Sequence, residues 1–477
     1  MNWLKALIPK KRSARPAVRR IPREDHPISR SQFTQGALRT LYGLKDAGYE
    51  AYVVGGGVRD LLAGLSPKDF DIATNAHPNQ VRQVFRSCRQ IGRRFVICHV
   101  RFGHDVLEVT TFRNVITDEH ERDGGGRILD DNEYGTLETD AFRRDFTVNA
   151  LYYDIRDYAI VDLTGGLDDM ERRLVRLIGD PETRFREDPV RMLRAVRIAN
   201  KLGFEIEKKT AEPIPKLAGL LREIPPARLF DEVIKLLQCK DGVANLEGLH
   251  RYGLLKHLLP SADAAMDDPR YGEFLRQALT NTAQRIEADQ SVSPAFLYAA
   301  LLWPAVLREY KRLTEREGVH ANVAIVQASD KALAQAIKHI MIPKRFSLPM
   351  REIWVLQPRF EARSPGRAQR LLTHPRFRAA YDFLLLRAAV GELPQADADW
   401  WTKAQDGKVP PSPRHSDRRH AQMQHEESGI DLDETETADE PASAPDAPSG
   451  PKKRRRRRGG RGRKSGGGGQ SAPPAAD

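Results

Sequence analysis

Apolar positions between Gly48 and Phe112 fall into three short runs, Ala51 to Val54, Phe95 to Val100 and Val106 to Phe112. Stretches with helical spacing follow Val58 and Pro78, so this part predicts a small mixed α/β unit. A helical pattern opens before it, near Ser31. From Asp188 to about Val390, Leu and Ala recur at three and four spacings, with proline at helix entries such as Glu212-Pro213 and Pro225-Pro226. That half predicts an all-α assembly. The glycine-rich stretch Asp118 to Asp131 reads as a loop. Beyond Ala404, Pro, Ser, Asp, Glu, Gly and Arg displace almost all bulky apolar residues. Such a composition does not offset the entropy of ordering, and a disordered tail is expected.

The fold class is therefore α+β, with a mixed head, a helical neck and body, and a disordered basic tail. Residues 1–32 are basic and proline-punctuated and read as an arm. The head is expected over 33–180, the neck over 181–245, the body over 246–400 and the tail over 401–477. The tail is acidic over Glu426 to Glu440 and then basic over Lys452 to Lys464. No solenoid repeat is visible.

Charge narrows the partner. The 477 residues carry 77 Lys and Arg against 65 Asp and Glu, a formal +12. This balance favours a polyanion, either a nucleic acid or an anionic membrane surface. No apolar run approaches the roughly 18 residues that cross a bilayer, so no stable membrane insertion is expected. Cys88, Cys98 and Cys239 are too few and too scattered for a disulfide framework or a zinc cluster, which fits a reducing cytoplasm.

Four groups of residues carry candidate chemistry. In Val53-Val54-Gly55-Gly56-Gly57-Val58-Arg59-Asp60 a strand runs into three glycines and a helix start. There the backbone of Gly56 and Gly57 can approach a phosphate with Arg59 beside it. Alone, the same pattern describes any tight strand-to-helix turn. Lys68-Asp69-Phe70-Asp71-Ile72 follows, and as a strand it puts Asp69 and Asp71 on one face. Paired carboxylates repel unless a cation joins them, and Mg2+ suits carboxylate and phosphate oxygens. A third acid comes from Glu108, the one acid in an apolar and β-branched run, or from Asp145 in Arg143-Arg144-Asp145-Phe146-Thr147-Val148-Asn149. The residues leave that choice open. Arg143, Arg144 and Asn149 suit triphosphate and ribose contacts. Lastly, Asp188-Pro189 is read as the cap and first turn of a helix whose Arg191, Arg194 and Arg197 share one face. Asp188 and Arg191 can accept from and donate to one base edge.

Together GGGVRD, KDFDIATN, RRDFTVNALYYD and EDPVRMLRAVRIANKLGF resemble the bacterial poly(A) polymerases. These belong to the nucleotidyltransferase superfamily that also holds the tRNA CCA-adding enzymes. The likeness runs from about Ile21 to Cys239 and fades after Lys240. It implies a nucleotidyltransferase head, with Asp69 and Asp71 binding two catalytic Mg2+ ions, an acid matching Asp145 grouped with them and Glu108 close by. It also implies that Glu187, Asp188 and Arg191 read the incoming base of ATP. Gly92-Arg93-Arg94-Phe95 followed by His99-Val100 favours the poly(A) branch, as do residues 21–30, residues 213–239 and the basic tail. The helical half shows no metal-phosphohydrolase His-Asp array.

The expected activity is template-independent transfer of AMP from ATP to RNA 3′ ends, in mRNA processing and turnover. The alternatives are a tRNA CCA-adding enzyme and a non-catalytic RNA-binding protein. Arg93 and Arg94, and Arg454, Arg455, Arg456, Arg457 and Arg458 in the tail, are the expected RNA contacts. A cytoplasmic monomer that meets RNA-degradation or RNA-chaperone proteins is expected.

Overall fold

A computed structural model describes residues 18–92, 96–114 and 133–406. An eight-stranded mixed sheet occupies the N-terminal part. Its strands are β1 (Arg19–Ile21), β2 (Ala51–Val54), β3 (Asp71–Thr74), β4 (Cys88–Ile91), β5 (Ile97–Phe102), β6 (Asp105–Thr111), β7 (Leu151–Asp154) and β8 (Ile160–Asp162). They lie in the order β1-β8-β7-β2-β3-β6-β5-β4. Only β3 and β6 run parallel within this sheet; the other pairs are antiparallel. The three apolar runs of the sequence thus correspond to β2, β5 and β6.

Strand alternation gives the sheet two faces. Val53, Ile72, Val109 and Tyr153 pack on one side against α1 (Gln35–Asp46), which buries Ala37, Leu41 and Leu44. Thr34 caps α1, its side-chain oxygen accepting from Ala37 N at 3.1 Å. Tyr52, Val54, Ala73 and Tyr152 form a second, smaller core on the other side with Phe112 and Ala141. Helix α2 (Gly56–Leu62) leaves the end of β2, α3 (Pro78–Val84) that of β3, and α4 (Leu137–Arg143) precedes β7. Helix α5 (Gly166–Arg172) follows β8.

The arm differs from its sequence reading. Arg19–Ile21 pairs with β8 as an edge strand, and Arg20 Nη2 donates to Asp154 Oδ2 at 2.7 Å. Three residues are too few to show a period in sequence, so the pairing is visible only in three dimensions.

After the sheet come α6 (Pro181–Glu187) and α7 (Val190–Leu202), then helices to Gln405. Proline opens many of them, at Pro181, Pro226, Pro269 and Pro294, where its missing N–H costs nothing. Helix α7 buries Val190, Leu193, Val196 and Ile198, while Arg191, Arg194 and Arg197 stay half-buried on the opposite edge. Gly203 ends it at φ 65°, the left-handed cap that glycine adopts at least cost. One continuous core joins Phe146, Val148, Val175 and Leu177 of the head to α7 and the helices beyond. This shared core fixes α7 against the sheet. Trp354 and Trp401 are fully buried further on, and each indole N–H finds a backbone carbonyl, Ala299 at 3.1 Å and Phe360 at 2.9 Å. Among the described residues no helix is long and apolar enough to cross a membrane.

Candidate active site

Register pairing lines up Tyr152, Val54, Asp71, Glu108 and His99 across five adjacent strands. Directly paired residues share a face, so the two acids stand on the same side of the sheet as Tyr152. Gly55 follows Val54 at φ 76° and ψ −134°, a conformation nearly closed to other residues. A Cβ there would lie 3.7 Å from both Asp71 Oδ2 and Arg144 Nη1. The glycine turn, an acid and a guanidinium therefore meet at one point. Gly57 packs so closely on Phe70 that an added Cβ would stand 2.9 Å from its ring. This contact sets the start of α2 against the segment bearing Asp69 and Asp71.

The sequence reading places both acids inside one strand, but β3 begins at Asp71 and Asp69 precedes it. On the β2 flank the partner ends: β2 stops at Val54, opposite Asp71, and Gly55 turns away, so earlier residues lose that antiparallel neighbour. The in-out alternation survives, with Asp69 exposed, Phe70 buried and Asp71 half-buried. Neither carboxylate accepts a hydrogen bond from a described residue. Burial, then Glu108, push the Asp71 carboxyl above its usual range, with a smaller push from Asp69; Arg144 and Arg194 pull it back. Glu108 is exposed, and His99 Nε2 lies 3.6 Å from its Oε1.

Uncommitted hard oxygen donors under mutual repulsion fit a divalent cation such as magnesium. Among the described residues no three His, Cys, Asp or Glu side chains converge tightly enough to hold an ion unaided.

A chain of polar contacts faces these acids. Buried Arg59 donates from Nη1 to Asn149 Oδ1 at 2.6 Å and from Nε to Asp60 Oδ1 at 2.9 Å. Lys201 of α7 reaches Asp60 Oδ2 at 2.5 Å. Asn149 Nδ2 donates to Asp145 Oδ1 at 3.0 Å, as does Phe146 N at 2.8 Å, while Arg194 Nε reaches Asp145 Oδ2 at 2.7 Å. Burial alone would raise the Asp145 carboxyl, but Arg194, Asn149 and the Phe146 amide hold it far below the usual carboxylate range. Both of its oxygens are engaged within the protein, and Asp145 ties the head to α7.

Arg144 Nε and Nη2 donate to Asp140 Oδ2 at 3.0 and 2.9 Å. Arg143 instead gives Nη1 to the Asn114 carbonyl at 2.9 Å, and burial with Arg113, Arg184 and Arg191 nearby lowers its pKa to about 9. Arg184 Nη2 donates to the carbonyls of Arg143 and Arg144, and Glu187 Oε2 accepts from Arg184 at 2.5 Å and Arg191 at 2.9 Å.

Asp188 is not the cap of α7. It ends α6 in an extended conformation and Pro189 occupies the cap position. Two helices meet head to tail there, which forces one extended residue between them. The Asp188 carboxylate accepts from Arg228 Nη2 at 2.8 Å and from Val190 N at 3.3 Å. Arg197 makes no hydrogen bond or ion pair with a described residue, and burial, then Arg194, depress its pKa. Arg93, Arg94 and Arg454 to Arg458 lie outside the described residues, as does the tail beyond Asp406; its expected start at 401 is corrected, because the helix Gln395–Gln405 runs through it and buries Trp401 and Ala404. Sequence reasoning gave no role to Asp60, Asp140, Tyr152, Arg184, Lys201 or Arg228. Only Asp140 carried a local signal, four residues before Arg144, the spacing of a helical ion pair.

The family of the poly(A) polymerase head domain matches residues 51–176, that of a probable RNA- and SrmB-binding site of polymerase A matches 203–266, and that of the polymerase A arginine-rich C-terminus matches 317–461. Poly(A) polymerase I of Escherichia coli O6:H1 is 46% identical over 430 residues, covering 85% of this chain and 92% of that one. The CCA-adding enzyme of Lactobacillus helveticus is 40% identical over 200 residues, only 42% of this chain and 49% of that one. A tRNA nucleotidyltransferase crystallised with a primer tRNA and an incoming ATP analogue shares the fold, with a TM-score of 0.54 at 22% identity over 78% of this chain and 100% of that one.

Proposed function

The chain belongs to the poly(A) polymerase family of RNA nucleotidyltransferases, and from that premise we propose that it transfers AMP from ATP to RNA 3′-hydroxyl ends, releasing pyrophosphate. The observation that carries the reading is the meeting of Asp71, the Gly55 turn and Arg144, with Glu108 beside Asp71 as its register partner on the same face of the sheet. Acids for a metal and a guanidinium for phosphate are what nucleotidyl transfer needs side by side.

In this reading Gly56, Gly57 and Arg144 receive the triphosphate, while buried Arg59, its guanidinium spent on Asn149 and Asp60, holds the turn in place. Asp188 accepts from the adenine exocyclic amine and Arg191 donates to a ring nitrogen. Arg228, held on Asp188, fixes that carboxylate's direction. Asp145 acts as a brace: it carries Arg194 and, through Asn149, Arg59. Arg197, with no protein partner, is free to take phosphate or ribose. Asp69 and Asp71 would hold magnesium, two ions in this reading, with Glu108 close by; when bound, the metal supplies a lowered pKa at the RNA 3′-hydroxyl and neutralises phosphate charge.

RNA is gripped by residues 203–266 and the basic tail, and the tails added promote RNA turnover. The head's likeness to a CCA-adding enzyme keeps one second reading in view. Purified protein is incubated with labelled RNA, magnesium and each nucleoside triphosphate singly, and the products are resolved by gel. A long heterogeneous ladder with ATP alone is expected. Extension by a few nucleotides on tRNA, stalling without CTP, would replace the proposal with CCA addition.

A further inference from the structure

We infer that Asp140 and Tyr152 are positioning residues for Arg144, locking its guanidinium so that Nη1 faces the triphosphate at the Gly55 turn; the role rests on the ATP reading given above. Of the three guanidinium nitrogens, two are spent inside the protein. Nε and Nη2 both donate to Asp140 Oδ2, and Nε is shared with the Tyr152 hydroxyl at 2.9 Å. Tyr152 in turn donates to Asp140 Oδ2 at 2.8 Å, closing a triangle. Asp140 is further fixed by the Arg113 amide, which donates to Oδ1 at 3.3 Å.

Nη1 is the nitrogen left over. It makes no hydrogen bond with a described residue, and it lies 3.7 Å from where a Cβ on Gly55 would stand, a position equally far from Asp71 Oδ2. A planar, forked guanidinium held at two nitrogens has its third aimed by covalent geometry alone. The triangle therefore sets a direction, which a simple ion pair between exposed side chains does not.

The surroundings argue that the hydroxyl has a purpose beyond packing. Tyr152 is fully buried in an apolar cluster with Tyr52, Val54, Ala73 and Ala141, and its ring meets Tyr52 edge-on at 6.0 Å. A phenylalanine would fill that space equally well. Asp140, 1% exposed, is a buried charge whose desolvation is costly unless every lone pair is used. Tyr152 also stands in the same cross-strand row as Asp71, with only Val54 between them. The rigid sheet thus ties the brace to the acid that Arg144 must face.

The test uses the full-length protein with magnesium and compares wild type, Tyr152→Phe, Arg144→Lys, the double variant and Asp140→Asn. Two quantities are read: the ATP KM and kcat on an RNA primer, and the Kd for inorganic tripolyphosphate by calorimetry. Loss of the hydroxyl should raise the ATP KM and weaken tripolyphosphate by about 3–10-fold, the worth of one hydrogen bond, with kcat much less affected. In the Arg144→Lys background, Tyr152→Phe should add almost nothing, because it acts only through Arg144. Unchanged KM and Kd in Tyr152→Phe, or losses that multiply in the double variant, would overturn the inference. Asp140→Asn should resemble Tyr152→Phe or exceed it; if it does not fold, Tyr152→Phe alone decides, since it keeps the ring. A wild type that adds no adenylate would sink the ATP reading, while tripolyphosphate binding would still report separately on whether Arg144 is held for a phosphate chain.

Discussion

Asp71 and Glu108 are register partners across the parallel β3–β6 pair, so two carboxylates on one face stand a strand apart with Asp69 next in line. Such a pairing works against stability when no cation is bound, because burial and like charge both oppose ionisation of Asp71. Asp71→Asn should therefore abolish adenylate transfer, by about 10³-fold or more, and yet raise the melting temperature of the magnesium-free protein. Calorimetry without metal and a primer-extension assay check the two halves. A fall in melting temperature would mean that Asp71 supports the fold, and full activity would remove it from the site.

Gly57 couples the glycine turn to the acids through Phe70. A methyl group at 57 would press within 2.9 Å of the Phe70 ring, and Phe70 lies between Asp69 and Asp71 in the chain. Gly57→Ala should displace the ring, move the acids with it and lower kcat by about 10–100-fold, since a shift of about 1 Å at such a site is costly. A loss of about 1–3 kcal/mol in stability should accompany it, as for other overpacked cores. Urea unfolding and steady-state kinetics measure both, and an unchanged kcat would show that the acids do not follow the ring.

The sequence foretold whatever depends on local spacing. Glycines after an apolar run, alternation in Asp69-Phe70-Asp71 and three-residue steps in Arg191, Arg194 and Arg197 are properties of neighbouring residues, and strand and helix geometry translate them directly. What escaped depends on partners distant in the chain. Asp69 lies outside β3, beyond the point where β2 stops at Val54, and Arg19–Ile21 is a strand only because β8 is there to pair with it. Asp145 reads equally as ligand or brace until Arg194, 49 residues on, is seen to occupy one of its oxygens. Arg228 is 40 residues from Asp188, and no periodicity announces that contact.

Asp154 makes stability depend on pH at the arm. It is fully buried and accepts from Arg156 Nη2 at 2.9 Å and Arg20 Nη2 at 2.7 Å. Burial alone would raise its carboxyl, but Arg156, through side chain and backbone, and then Arg20 hold it below the usual range. A carboxyl depressed by folding contributes stability that is fully present above its unfolded pKa, near 4, and is lost as pH falls through the folded value. Wild type should thus lose stability on acidification below about pH 4.5. Asp154→Asn should be less stable at pH 7 by about 1 kcal/mol, a figure kept small because both arginines are partly exposed and screened. Its acid limb should also be shallower. Thermal melts from pH 7 to pH 3 test this, and parallel curves for the two proteins would place the charge dependence elsewhere.

The run Arg454 to Arg458 is unbroken, and five adjacent cations either meet RNA phosphates or only keep the chain soluble. Counterion release separates these cases, because each phosphate neutralised on a single strand contributes about 0.7 to the slope of log K against log salt. Replacing all five with alanine should reduce that slope by up to about 3.5 and weaken RNA binding most at low salt. The loss should be similar for RNAs of different sequence, since phosphate contacts carry no base information. Fluorescence anisotropy with two unrelated oligonucleotides over a salt series supplies both readouts. A slope identical to wild type would leave the run as a solubility tail and assign RNA affinity to the neck and body alone.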